Sequence, residues 1–186
     1  QVLDKLAEQW STQPDELSRL ARQASKELAK VSMARRPSIS ARLGREFEKQ
    51  LLQQNYTLAD EMQGGFGQQN KFPSVPQLML LLESYQRHPK PRLKNFLELT
   101  LNQMASLGLR DHLGGGFFRY CIDPGWQVPH FEKMLYDNAL LAELYLTAAK
   151  QFNKPLHEAI GLDTLDFMLR DLATGKGGLA ASLSAV

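Results

Sequence analysis

The sequence has one cysteine in 186 residues, Cys121, so it cannot close a disulfide within itself. A single thiol suits a reducing compartment, and the cytoplasm is the expected location. Cys121 could be a nucleophile, but no Cys-x-x-Cys accompanies it, and a packed or half-buried thiol is the expectation. No apolar run approaches the about 20 residues of a membrane-spanning helix, so no membrane partner is expected. Charge of one sign is not in excess. Lys and Arg number 22 against 20 Asp and Glu, a net charge of +2, and no aromatic-studded basic stripe occurs. Nucleic acid is therefore not an expected partner, and Lys30, Arg35 and Arg36 read as a solvated face or linker. Histidine is too sparse and scattered for a metal: His112 and His130 are far apart and no His-x-x-x-His exists. "GGFG" and "LGGGF" follow no strand and lead to no Gly-Lys-Ser/Thr, which excludes the dinucleotide and P-loop patterns. No metal or cofactor is expected. A signal-peptide pattern is absent and the first residue is Gln1, which suggests a piece of a longer protein.

What is present is ordinary globular composition, 43% hydrophobic and 23% charged, enough for one domain with a sizeable core. The pattern is helical nearly throughout. A short apolar-periodic piece covers residues 2 to 10. From Asp15 to Met33 apolar residues recur at Leu17, Leu20, Ala21, Ala24, Leu28 and Val31, a helical spacing. Ser38 or Ser40 could cap a third helix bearing Leu43, Phe47, Leu51 and Leu52. Helices follow from about Gln77 to Arg87, Arg92 to Leu107, Pro129 to Phe152 and Pro155 to Ala173, with "HPKP" and "NKP" as turns. "FFRYCI" favours one short β piece near residues 117–122. Glycine-rich breaks start near Gly64, Gly114 and Gly177, a period of about 50 to 60 residues. One helical hairpin cannot bury its apolar face alone, so these hairpins should stack or close into a ring.

The stretch "VPHFEKMLYDNALLAELYL" carries the densest polar chemistry. From Ala139 to Ala149 it is apolar on nearly every face, as an inner helix would be. Read as one helix from Pro129, it puts His130, Lys133, Met134 and Asp137 on one face, and Glu132 and Tyr136 on the adjoining one. Its free N–H groups would favour an electron-rich ligand group. These residues could instead merely complement the helix dipole and pair with each other. The glycine-rich loop just before them, with Asp111, His112, Arg119 and Trp126, favours a cleft. "DEMQGGFGQQNKFP" adds Asp60, Glu61, Phe66 and Lys71. Trp126, Phe117 and Phe66 could stack on a sugar ring or plug the core.

With "GGFG…KFP" and "LGGGFFRYCIDPGWQVPHFEKMLYDNALLAELY" together, the chain resembles the thioredoxin-domain-containing proteins of the YyaL and spermatogenesis-associated type. The match is strongest over about residues 55 to 150. That family joins a thioredoxin-like domain to an (α/α)6 toroid similar to N-acylglucosamine 2-epimerases and six-hairpin glycosidases. The resemblance implies an all-α fold, with connector helices over residues 1–33 and about half of a toroid over 34–186. It implies a toroid mouth where His130, Asp137, Asp111 and Glu132 are catalytic candidates. Asp60, Phe66, Lys71, Arg119, Tyr120, Trp126, Lys133 and Tyr136 are then ligand-binding candidates. A carbohydrate-like ligand is the implied partner, with the rest of the protein's own chain, including a thioredoxin-like domain. Epimerase-like or glycosidase-like chemistry would follow; the alternative is a non-catalytic binding module serving the redox domain. Two departures stand out. Gln69 and Asn70 replace the family's Ala-Pro before "KFP", and Phe118 stands where the family has histidine.

Overall fold

The computed structural model describes residues 5, 7, 10–34 and 43–185. The Ser38 and Ser40 caps, Arg35 and Arg36, and most of the 2–10 piece lie outside the described residues. The chain divides into two compact units, Gln1–Glu46 and Phe47–Val186. In the first, helix α1 (Pro14–Ala34) is half-buried at Leu17 and Ser18 and exposed over residues 19–30, Leu20 and Leu28 included. Helix α2 (Leu43–Leu58) leads into the second unit, which is built from α3 (Val75–Arg87), α4 (Pro91–Ser106), α5 (Leu135–Phe152) and α6 (Pro155–Asp171). Prolines open α4 and α6 in the first turn, where a missing N–H costs nothing. Between α5 and α6, Asn153 takes the left-handed conformation that ends a helix.

α4 packs on α3 and α6 packs on α5, while α3 and α5 lie against each other. The shared core is Leu78, Leu81, Leu82, Leu97, Leu101, Met104, Leu141, Leu144, Tyr145 and Ala148, all buried. Each large side chain contributes about 1.5–3 kcal/mol when it leaves water. Tyr145 keeps its hydroxyl satisfied by donating to the Leu101 carbonyl, 2.7 Å. The short turns 88–90 and 153–154 lie at one end of the helix pairs, and the glycine-rich loops lie at the other.

Those loops repeat one local design. The Asp60 N–H donates to the Gly65 carbonyl, and the Asp111 N–H to the Gly116 carbonyl. Ala59 bridges Phe66, Arg110 bridges Phe117, and Ala173 bridges Leu179. Gly65 (φ 72°) and Gly116 (φ 71°) occupy matching left-handed positions, which a side chain would strain. Short strands stitch neighbouring loops together. Lys71 pairs with Cys121, and β3 (Lys133–Met134) pairs antiparallel with β4 (Ser182–Leu183). Lys71 and Lys133 therefore hold equivalent places. Each is paired to the following loop, and each stands a few residues ahead of a helix, α3 or α5.

The sequence places a β piece near 117–122, and Tyr120–Cys121 forms β1 there. Its hairpin partner is β2 (Pro129–His130). The expected helix start at Pro129 is therefore corrected to Leu135. Residues 129–134 are held extended by pairing with β1 and β4, and Leu135 N–H still donates to the Ala181 carbonyl. The shared helical faces assigned to His130, Glu132, Lys133 and Met134 do not exist. Asp137, in the first turn of α5, is the acidic residue at the true helix start.

Candidate functional site

The second loop folds around its own carboxylates. Asp123 Oδ atoms accept from the N–H groups of Gly125, Gln127 and Val128, which turns the β1–β2 hairpin tip. This turn holds Trp126 at φ 60° with its ring fully buried, Nε1–H donating 2.9 Å to the Gln63 carbonyl of the preceding loop. Trp126 is thus a plug between loops. Phe117 is fully buried too, stacked 5.4 Å from Tyr145, and Phe66 lies against Phe96.

Two lysines lock the two loops. Lys71 is fully buried, and its Nζ donates to Asp60 Oδ2 at 2.8 Å and to the Gly64 and Gly67 carbonyls. All three of its N–H donors are used. Lys133 is the counterpart, donating 2.7 Å to Asp111 Oδ2 and to the Gly115 carbonyl. Its ammonium also sits over the Phe167 and Phe118 rings, so Phe118 occupies an apolar and cation-facing place. Burial alone would raise the Asp111 carboxyl. Lys133 and the N–H groups of Gly114 and Leu113 outweigh it and bring the group down to about 2. Asp60 is lowered for the same reasons, by Lys71, Gln63 and Met62 against burial.

A second cluster gathers where β1, β2 and the start of α5 meet. Arg119 donates 2.7 Å to Glu132 Oε2, and its N–H donates to the Glu132 carbonyl. Asp137, half-buried, lies in the field of both, next to Tyr136 at the start of α5. Burial pushes its carboxyl up to about 6; Arg119 and Tyr136 pull it down, and the Glu132 charge pushes it up. Beside this cluster, Tyr120 is stacked on both faces. Phe72 lies 4.6 Å away on one side, and His130 lies 5.0 Å away with its plane tilted by only 12°. The exposed Phe131 closes edge-on against Phe118.

The structure thus brings together Arg119, Glu132, Tyr136 and Asp137, with Tyr120 and His130 adjoining. It keeps Asp60 with Lys71, and Asp111 with Lys133, in separate loop cores. Two grooves lie away from the cluster. One of about 560 Å³ is lined by Glu61, Arg92, Asn95, Phe96 and Leu99, and one of about 490 Å³ runs between α3 and α5 by Met79, Glu83 and Thr147. Sequence reasoning missed Asn138, which is fully buried and clamps the second loop. Its Oδ1 accepts from Phe117 N–H, and its Nδ2 donates to the Phe117 and Met134 carbonyls. An amide interrupting an apolar run was the available signal. Thr100 plays a similar part in the first loop, accepting from Gly65 N–H at 2.9 Å.

No family model matches the chain. Human spermatogenesis-associated protein 20 is 33% identical over 187 residues, covering 95% of this chain and 23% of that protein. The chain is homologous to a stretch of spermatogenesis-associated protein 20. It spans under a quarter of the length of that relative. Among solved structures, a sugar epimerase from a ruminal bacterium superposes with a TM-score of 0.65 at 12% identity, covering 73% of this chain and 37% of that chain. The cellobiose 2-epimerase of Spirochaeta thermophila gives 0.63 at 17% identity, over 80% of this chain and 42% of that chain. At such identities the likeness concerns the fold alone: the helix pairs belong to an α/α toroid, and this chain carries part of one.

Proposed function

We propose that the mouth of this toroid binds a carbohydrate-like ligand and that Asp137 moves a proton on it, as in sugar epimerisation or isomerisation. The observation that carries this reading is the half-buried Asp137 carboxyl, poised near 6 among Arg119, Glu132 and Tyr136. A base works best when its pKa lies near the working pH. On an open-chain aldose, a base would take the C2 hydrogen as a proton while its electron pair moves toward C1. The carbonyl oxygen gains negative charge, which nearby hydrogen-bond donors stabilise. Return of a proton to the other face of C2 gives the epimer. Epimerase folds among the neighbours support the ligand class.

The glycosidase-like version has less support. It needs two facing carboxyl groups about 5–10 Å apart. Asp60 and Asp111 are spent on lysines in separate loops, and Glu132 is paired with Arg119. We assign Lys71 and Lys133 to holding the loops that shape the mouth, and Arg119, Tyr120 and Tyr136 to the ligand.

The full-length protein incubated with cellobiose, D-mannose and N-acetylglucosamine in heavy water tests the proposal. Deuterium entering C2, read by NMR, is expected. Binding of none of these sugars, with capture of a protein through a thioredoxin-domain cysteine instead, would favour the non-catalytic redox partner.

A further inference from the structure

His130 is the histidine beside the Arg119 cluster, and its ring is unusually constrained. β2 pairs with β1 so that His130 faces Tyr120 across the ladder. The imidazole lies parallel on the Tyr120 ring at 5.0 Å, and Tyr120 is backed by Phe72 at 4.6 Å. This three-ring column fixes the imidazole plane. Within that plane, Nδ1 is buried and has no hydrogen-bond partner. Nε2 is not among the buried atoms lacking a partner, so it is the nitrogen open to a ligand.

A buried N–H without an acceptor is rarer and more costly than a buried lone pair without a donor. Neutral imidazole carries its hydrogen on one nitrogen only. The hydrogen therefore belongs on Nε2, and Nδ1 keeps the lone pair. A histidine that abstracts a proton through Nε2 needs the opposite arrangement, with a hydrogen on Nδ1 and an acceptor to receive it. No such acceptor is present among the described residues. We propose that His130 works in its Nε2–H tautomer as a hydrogen-bond donor to an oxygen of the ligand, not as the proton-abstracting base. This deepens the reading of the mouth as a sugar site and rests on it: His130 would steady the carbonyl oxygen as charge develops, while Asp137 handles the C2 proton.

Two measurements on the full-length protein test it. With ring-15N histidine, the His130 signals are assigned by their loss in both His130→Gln and His130→Asn. The spectrum should show the Nε2–H tautomer; a dominant Nδ1–H form would overturn the proposal. Glutamine can present an N–H near the place of Nε2, whereas asparagine presents it near Nδ1. His130→Gln should therefore keep C2 deuterium exchange on D-mannose or cellobiose within about threefold, and His130→Asn should lose about 100-fold, the scale of one lost oxyanion donor. Equal losses in both variants, with melting curves like the wild type, would overturn the donor role. If the wild type exchanges no deuterium on any sugar, the sugar reading fails. The tautomer spectrum then decides the His130 assignment by itself.

Discussion

At the scale of single residues, the aspartates divide into two kinds. Asp60 and Asp111 sit on lysines and accept backbone N–H groups, which favours their charged forms. Asp137 is half-buried without a lysine, and its carboxyl rises to about 6. A carboxyl raised on folding is ionised more readily in the unfolded chain. Its contribution to stability is then present at acid pH and is lost as pH rises from about 4 to about 6. Asp137→Asn should remove that loss and stabilise the protein above pH 6 by about 1 kcal/mol, after allowing for solvent screening. Urea unfolding at several pH values checks it, and the same variant should lose proton transfer. Lys71→Met behaves oppositely. It leaves Asp60 and the Gly64 and Gly67 carbonyls without their buried partner. A cost of about 3–5 kcal/mol is expected, seen as a lower denaturant midpoint.

At the scale of elements, helices with local signals were legible in the sequence. α3, α4 and α6 begin and end within a few residues of where proline and apolar spacing put them. The stretch 129–134 was not legible, because its extended form depends on pairing with Tyr120 and with Ser182 and Leu183, distant in sequence. The polar cluster was found for a reason that failed. Residues around 130–137 do converge with Arg119, but through a hairpin and a helix start, not through one helical face. Lys71 and Lys133 are ligand-binding candidates through the family resemblance; their burial against loop carbonyls and aspartates is a tertiary property that the sequence does not display. Gly116→Ala tests the loop design. A Cβ there would run into the Phe167 ring, at φ +71°. A loss of at least about 1–2 kcal/mol is expected from the backbone term alone, with more from the clash, measured by thermal melting. Asp123→Ala should loosen the hairpin tip and speed amide exchange at Gln127 and Val128, whose N–H groups it holds.

At the scale of the whole molecule, successive helix pairs place every glycine-rich loop at one end, and strand pairing joins each loop to the next. Such an arrangement gathers polar loop residues over a dry helical wall, the usual setting of a ligand site. The toroid likeness to sugar epimerases fits that geometry. The most direct test of proton transfer at this mouth is deuterium wash-in at C2 of D-mannose and cellobiose by the full-length protein. Exchange is expected in the wild type, with a loss of about 100-fold or more in a folded Asp137→Asn variant. Equal exchange in the two proteins, or no exchange with either sugar, would contradict it.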